Sequence, residues 1–121
     1  IATFGRQESE LEKGSYSVIS QSLSDVDRAI AEDTREGVLK IFHSRGKILG
    51  GTLMAPHAGE LVGELITAME QGIPVKKLFN RIYPYPTLSR ITRRAIGGYL
   101  GESLTSRSKK LLRRLFYFFN R

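Results

Sequence analysis

Hydrophobic and polar residues follow different patterns in the two halves of the chain. The first half contains short runs in which apolar and polar residues alternate, a pattern typical of β-strands with one buried face. In the second half, apolar residues recur at the i, i+3, i+4, i+7 spacing of helices that bury one stripe. Strands followed by helices predict an α+β fold, in which an antiparallel β-sheet carries helices packed on one face.

The alternating runs predict the strands, which cover residues 1–4, 16–23, 38–42 and 48–54. Residues 44–47 predict a hairpin turn between the last two strands, because Gly46 tolerates a positive φ. Gly50 and Gly51 in the last strand predict a bulge or a close approach by a neighbouring backbone.

The helical spacing predicts helices over residues 7–13, 58–71, 75–80 and 87–97. The apolar residues of the second helix fall on one face, and Gly72 supplies a left-handed C-cap. His57 lies at the entry to that helix, where we predict that it caps the helix or faces solvent rather than acting in catalysis. Residues 81–86 are predicted to be extended, since residues that precede proline avoid the α region.

The composition excludes several kinds of site within the chain. There is no cysteine, so the chain has no disulfide, thiolate metal site or redox-active cysteine pair. His43 and His57 lack the spacing of a zinc motif, and we predict no metal site. No GxGxxG fingerprint occurs, and no apolar run approaches the ~20 residues that span a bilayer. The sequence begins at Ile1 without a signal pattern, which we interpret as a segment of a longer protein.

The net charge of +7 is concentrated at the C-terminus. Residues 1–102 are nearly balanced in charge, which argues against a nucleic-acid-binding surface. We therefore predict two parts, a domain over residues 1–100 and a basic amphipathic helix over residues 101–121. On a helical wheel, basic groups lie opposite a face of leucine and phenylalanine. The residues predicted to act in this helix are Arg107, Lys109, Lys110, Arg113, Arg114, Phe116 and Phe119.

Two interpretations of this C-terminal helix stay open. In one, the helix lies on a membrane surface, and the chain is a recruiting or interaction module at the inner membrane face. In the other, the apolar face docks on the domain or on a second copy of the chain, and the basic face is solvated.

Short segments over residues 1–100 occur in an order that resembles a known family. They are Ile-Ala-Thr-Phe-Gly at residues 1–5, Glu-Gly-Val-Leu-Lys at 36–40, Ile-Leu-Gly at 48–50, Ala-Gly-Glu-Leu at 58–61 and Tyr-Pro-Thr-Leu-Ser at 85–89. Together they resemble the C-terminal dimerisation domain of the pyridine nucleotide-disulfide oxidoreductases, which include glutathione reductase, dihydrolipoamide dehydrogenase and mercuric reductase.

The resemblance implies a homodimer and a larger parent enzyme. FAD and NAD(P)H are implied for the other domains of that parent, whereas this chain binds no cofactor by itself and is predicted to be inactive alone. Gly59, Glu60, Gly63 and Thr87 are implied to lie at the dimer interface. The implied location is cytoplasmic.

The resemblance also implies a site at the turn after residue 83. The usual family turn is His-Pro-Thr-x-x-Glu, an acid/base imidazole oriented by a carboxylate. Here Tyr85 occupies the position of the histidine and Arg90 that of the glutamate. A tyrosine, with an ordinary pKa near 10, does not exchange a proton as imidazole does near neutral pH. Tyr85 and Pro86 are implied to face the partner's flavin, and the bond between them is implied to be cis.

Two further expectations concern this turn. The aromatic-Pro-Tyr order at Tyr83 and Tyr85 is nearest to the mercuric-reductase-like branch, although a glutamate is expected there at position 90. Thr87 is predicted to be the N-cap of the last helix, which would place Arg90 at the positive end of the helix dipole. We expect Glu60, Glu64 or an acid of the partner to compensate for that charge.

Overall fold

The structure is a computed structural model that describes the backbone of residues 1–119 and the side chains of residues 1–118. Its strands form one antiparallel sheet in the order β1-β4-β3-β2. The strands are β1 (Ala2–Gly5), β2 (Ser17–Ser22), β3 (Val38–Ser44) and β4 (Lys47–Met54). The predicted α+β class with an antiparallel sheet is confirmed.

Most of the helical structure follows the sheet in sequence. The helices are α1 (Asp27–Ala31), α2 (Ala58–Leu61), α3 (Gly63–Glu70), α4 (Val75–Phe79) and α5 (Arg90–Phe119). Helix α3 packs against β1 and β4, α5 packs against β2 and β3, and α4 packs against α5. The sheet therefore buries one face beneath the helices.

Alternation along the strands explains which side chains enter the core. Leu39 and Ile41 of β3 are fully buried, whereas Lys40 between them is exposed. On the outer face, Val18 and Met54 are also exposed, and Phe42 is covered by an edge-to-face contact with Tyr16 at 5.9 Å between ring centroids. A period of two thus separates the core face from the solvent face.

A buried histidine stabilises the hairpin between β3 and β4. The backbone N–H of Gly46 donates a hydrogen bond to Nδ1 of His43 at 3.1 Å, so the imidazole closes the turn. The ring of His43 packs edge-on against Tyr99 of α5, with 4.9 Å between ring centroids. Burial lowers the pKa of His43, which favours the neutral imidazole in the folded state.

The glycine pair in β4 permits the close approach that its sequence predicts. A Cβ added to Gly51 would lie 2.5 Å from the carbonyl oxygen of Lys40 and 2.7 Å from Cζ of Phe4. The pairing register shifts beside this pair, because Phe42 lies opposite Gly50 while His43 lies opposite Ile48. Both expected features, a bulge and a close backbone contact, are therefore present.

Two predicted helices differ in the structure. The expected helix over residues 7–13 is only a single 3₁₀ turn at Glu8–Glu10, since it has no buried residue with which to pack. The expected helix over residues 58–71 is divided at Val62, and Gly63, a poor helix former, begins the second part. Gly72 has a φ of +63°, so its left-handed conformation is confirmed.

The last helix was also predicted wrongly. We expected one helix from Thr87 to about Gly97 and a second over residues 101–121, but α5 is continuous to Phe119. Glycine within a helix costs about 1 kcal/mol. Gly97, however, packs against Phe79, where an added Cβ would lie 3.0 Å from ring carbon Cε2. Tertiary packing therefore keeps the helix continuous at this glycine. The predicted boundary between the domain and the C-terminal helix, at residue 100, falls inside one helix.

We expect Gly51→Ala to destabilise the fold by about 1–3 kcal/mol, because the new methyl group overlaps backbone and aromatic atoms that cannot move independently. Gly98→Ala is the matched control, since an added Cβ there meets nothing within 4 Å and alanine favours the helix. Urea unfolding of both variants measures the difference. Equal stabilities would show that β4 tolerates a side chain at position 51.

Candidate functional site

The segment between α4 and α5 directs its two tyrosines in opposite directions. Tyr83 is 8% exposed, whereas Tyr85 is 66% exposed. The peptide bond between Tyr85 and Pro86 is cis, as the resemblance implied. The turn that carries the candidate site is therefore held on the protein at one end and projects outward at the other.

Tyr83 holds the turn against α3. Its hydroxyl donates a hydrogen bond to Oε2 of Glu64 at 2.9 Å and lies 3.3 Å from the carbonyl oxygen of Leu78. Oε1 of Glu64 is buried and has no hydrogen-bond partner among the described residues. Glu64 thus joins the middle of one helix to the chain segment that leads into the next.

Burial dominates the electrostatics of this pair. It raises the pKa of Glu64, while the Tyr83 hydroxyl, the nearby Thr92 hydroxyl and the charge of Arg81 oppose the rise. Burial and the adjacent Glu64 carboxylate also raise the pKa of Tyr83 well above its usual range. Tyr83 therefore remains a hydrogen-bond donor at neutral pH.

Tyr85 and Arg90, which occupy the positions of the family dyad, are brought together in the structure. The guanidinium carbon of Arg90 lies 5.1 Å from the centroid of the Tyr85 ring, which is a cation–π contact. The expected compensation of Arg90 by Glu60 or Glu64 is wrong within the described chain, because Glu64 accepts from Tyr83 and no ion pair includes Arg90. The ring of Tyr85 faces the charge instead.

Thr87 shapes the turn but is not the N-cap of α5. The helix begins at Arg90, so Arg90 occupies the first helical position rather than the third. The Thr87 hydroxyl donates to the carbonyl oxygen of Pro84 at 2.6 Å and lies 2.8 Å from the Ser89 hydroxyl. The prediction was wrong because local hydrogen bonds within the turn use this hydroxyl before the helix starts.

An open groove of ≈ 520 Å³ begins beside the turn. Its charged residues are Arg90, Arg93 and Arg94 of α5, Asp25 before α1, and Asp27, the first residue of α1. Its two sides thus carry opposite charges. The groove shows no cluster of one charge alone, and the Tyr85–Arg90 pair is the chemically distinctive feature of this region.

The residues implied to lie at the dimer interface are exposed or half-buried. Gly59, Glu60 and Gly63 are exposed, and a Cβ added to either glycine would meet nothing within 4 Å. Thr87 is half-buried, and Ile82, beside the anchored Tyr83, is 97% exposed. The chain therefore leaves close-packing positions and a large apolar side chain uncovered. Their part in an interface stays a prediction.

The C-terminal half of α5 leaves its apolar face exposed, and of that face Leu104 alone lines a groove with residues of the domain, such as Val75. Residues 104–118 are exposed throughout. Docking of this face on its own domain, one of the interpretations above, is therefore wrong for the described residues. The side chain of Phe119 and all of Arg121 lie outside the described residues.

The described part of the chain offers no ready site for a metal ion. It holds no group of three or more acidic or histidine side chains that could bind one. None of its helices is both long enough and apolar enough to cross a bilayer.

Comparison with known proteins gives the family. Residues 1–96 match the dimerisation domain of the pyridine nucleotide-disulphide oxidoreductases. The chain belongs to this family. Among curated relatives, it is 36% identical over 92 residues to a dihydrolipoyl dehydrogenase of Buchnera aphidicola, covering 73% of this chain and 19% of that enzyme. It is 31% identical over 111 residues to dihydrolipoyl dehydrogenase 2 of Haloarcula marismortui, covering 88% and 24%.

Solved structures agree with this assignment. LpdA from Mycobacterium tuberculosis matches with a TM-score of 0.73 and 30% identity, over 80% of this chain and 22% of that one. The HOCl-induced flavoprotein disulfide reductase RclA from Escherichia coli shares the fold with a TM-score of 0.73 at 20% identity, over 78% and 23%. The chain thus spans about a fifth of the length of the relatives it matches. It corresponds to one domain of a larger type of enzyme.

Sequence reasoning missed the Tyr83–Glu64 pair. The sequence presents Tyr83 only as part of an aromatic-proline run, and Glu64 only as a possible counter-charge for Arg90. A buried tyrosine requires a partner for its hydroxyl, but alternation of tyrosine and proline does not indicate which of Tyr83 and Tyr85 is buried. The packing of the turn on α3 decides this.

We expect Glu64→Gln to remove a pH-dependent loss of stability. Because burial raises the pKa of Glu64 above its ordinary value of 4.5, its contribution is most favourable below that pH and is lost as pH rises through the folded-state pKa. Glutamine still accepts from Tyr83 without the buried charge. At neutral pH the variant should therefore be as stable as the wild type or more stable.

Urea unfolding from acidic to neutral pH, at one protein concentration, measures this effect. The exposed Glu60→Gln in the preceding helix is the control. If Glu64→Gln alone lost more than about 1 kcal/mol at neutral pH, the carboxylate charge would be stabilising and the argument from burial would be wrong.

Proposed function

We propose that this chain is the interface domain of a FAD-dependent disulfide oxidoreductase and that it presents the Tyr85–Pro86 turn to the flavin site of the partner subunit. The observation that carries the proposal is the exposed Tyr85 on a turn fixed by the buried Tyr83. A side chain serving a site within its own domain would be enclosed by that domain. A side chain serving a second subunit must extend away from it.

The flavin side of the proposal assigns this chain a limited role. The described residues provide one exposed edge, Tyr85 with Pro86, that suits contact with a flat ring system. When bound by the other domains, FAD would supply the redox chemistry. The part of this chain would be to position the subunits, cover the reaction site and exclude water, so we expect the isolated chain to be inactive.

The residues at the positions of the family's histidine and glutamate limit the catalytic role that we propose for the turn. Arg90 has no acceptor with which to orient an imidazole, and it stacks on the Tyr85 ring instead. We therefore propose that Tyr85 shields the site or handles a metal ion that is the substrate, as in the mercuric-reductase-like branch. The Tyr83-Pro84-Tyr85 run supports this branch, whereas the relatives above are named dihydrolipoyl dehydrogenases.

The proposed homodimer can be tested on the chain itself. We expect it to sediment as a dimer, and we expect Gly63→Leu to weaken association by at least tenfold, because a close-packed interface has no room for the added side chain. Gly98→Leu is the matched control, since position 98 is also an exposed glycine within a helix with open space around it. Sedimentation equilibrium measures both.

A wild-type chain that remains monomeric at high concentration would contradict the proposed dimer. Equal dimerisation of the Gly63→Leu and Gly98→Leu variants would contradict the proposed position of the interface. Circular dichroism of each variant separates a lost interface from a lost fold.

The proposed loss of acid/base catalysis through Tyr85 and Arg90 can be tested in a chimera. In it, this chain replaces the matching domain of a dihydrolipoyl dehydrogenase. We expect the chimera to dimerise and retain FAD but to oxidise dihydrolipoamide slowly. Tyr85→His with Arg90→Glu should raise that rate by about 10²-fold or more, the usual contribution of acid/base catalysis. Arg94→Glu with Tyr85→His, which makes the same charge change one turn later, is the control.

Steady-state assays with dihydrolipoamide, and with Hg²⁺ as the alternative electron acceptor, give the result. If the unmodified chimera oxidised dihydrolipoamide as fast as the parent enzyme, Tyr85 and Arg90 would support the usual chemistry, and the proposed shielding role would be wrong.

A further inference from the structure

The second half of α5 has an apolar face that its own domain leaves uncovered. The exposed fractions of its large side chains range from 45% at Leu115 to 82% at Phe118. The face consists of Leu104, Leu111, Leu112, Leu115, Phe116 and Phe118. At 100° per residue it covers roughly 160° of the helix. A stripe this wide on a helix of this length normally packs against something.

The opposite face of the same segment carries positive charge. Its basic residues are Arg107, Lys109, Lys110, Arg113 and Arg114. The chain contains no acidic residue after Glu102, so no carboxylate within this segment neutralises them. On the wheel, Arg107 and Arg114 flank one edge of the apolar face and Lys109 flanks the other. A partner that covers the apolar face thus meets positive charge along both edges.

This charge distribution discriminates among possible partners. A second copy of the helix, paired face to face, would bring two sets of basic flanks together with no acid between them, which is unfavourable. A complementary partner would have negative charge at its surface and an apolar layer a few ångströms beneath. Such a partner would cover the apolar face of the helix and pair with the basic residues along both edges. The interface of an anionic lipid bilayer has this arrangement.

We propose that residues 104–118 of α5 bind the surface of an anionic lipid bilayer, with the leucine and phenylalanine face inserted among the acyl chains and the basic flanks at the headgroups. The helix lies in the plane of the interface and does not cross the bilayer. This inference is independent of the proposed function, since it uses only the part of α5 beyond the packed core.

Vesicle co-sedimentation of the full chain tests the proposal. We expect strong binding to phosphatidylcholine vesicles that contain about 30% phosphatidylglycerol, little binding to phosphatidylcholine alone, and weaker binding as salt rises from about 0.1 to about 0.5 M. Arg107→Gln with Lys109→Gln and Arg114→Gln, which removes the basic flanks, should lower the affinity by on the order of a hundredfold. The control Arg107→Lys with Lys109→Arg and Arg114→Lys keeps the charge and should bind normally.

A second pair of variants tests the contribution of the apolar face to vesicle binding. Leu111→Ser with Leu115→Ser should lower the affinity for anionic vesicles by on the order of thirtyfold, whereas Leu111→Met with Leu115→Met should change it little. Both sites are exposed, so the domain should melt normally in each variant. The chain contains no tryptophan, so Phe118→Trp supplies a single fluorescent probe. Its emission maximum should shift to shorter wavelength when the chain binds anionic vesicles.

Several outcomes would overturn the proposal. One is equal binding to anionic and zwitterionic vesicles, and another is a tryptophan that stays in water while the chain sediments. Self-association abolished by Leu111→Ser with Leu115→Ser, without vesicle binding, would identify a second copy as the partner. Binding to polyglutamate but not to anionic vesicles would identify an acidic polypeptide instead.

Discussion

The hydrogen bond from the Tyr83 hydroxyl to the Glu64 carboxylate determines how the turn before α5 is presented. It joins α3, which packs on the sheet, to a segment that has no regular structure of its own. Since Tyr83 is buried and held, the chain two residues later must leave the surface, and Tyr85 projects into solvent. The proposed interface role would use a fixed projection of this kind, because a mobile loop would lose entropy on each encounter with a partner site.

The same pair carries an energetic cost that the fold offsets elsewhere. A carboxylate with one unpartnered, buried oxygen disfavours the folded state at neutral pH. The interior beside it, formed by fully buried side chains such as Leu65, Leu78 and Ile91, supplies apolar burial on both sides of the pair. The buried polar contact thus specifies the position of the turn, while the hydrophobic core provides the stability.

Helix α5 joins two surfaces that differ in their chemistry. Its first turns place Arg90 against Tyr85 and bury Ile91, Ala95 and Ile96 in the core. Its second half buries nothing in its own domain. Because one continuous helix spans both parts, the turn and the exposed amphipathic face have a fixed relation to each other. Any surface that orients the second half would therefore also orient the domain and its projecting tyrosine.

The sequence by itself determined the features that depend on local periodicity and residue type. The alternation around Leu39 and Ile41 predicted strands, Gly72 predicted a left-handed cap, and the absence of cysteine excluded a redox-active cysteine pair within the chain. Family membership also followed from sequence, through short segments in a fixed order.

Tertiary contacts decided the rest. Packing of Gly97 against Phe79 made one helix where two were expected, and a partner nineteen residues away in sequence decided that Tyr83, not Tyr85, is buried. The early helix over residues 7–13 failed for the converse reason, since no buried face supports it. Local propensities differ by about 1 kcal/mol or less per residue, so packing between distant segments overrides them wherever it buries or anchors a side chain.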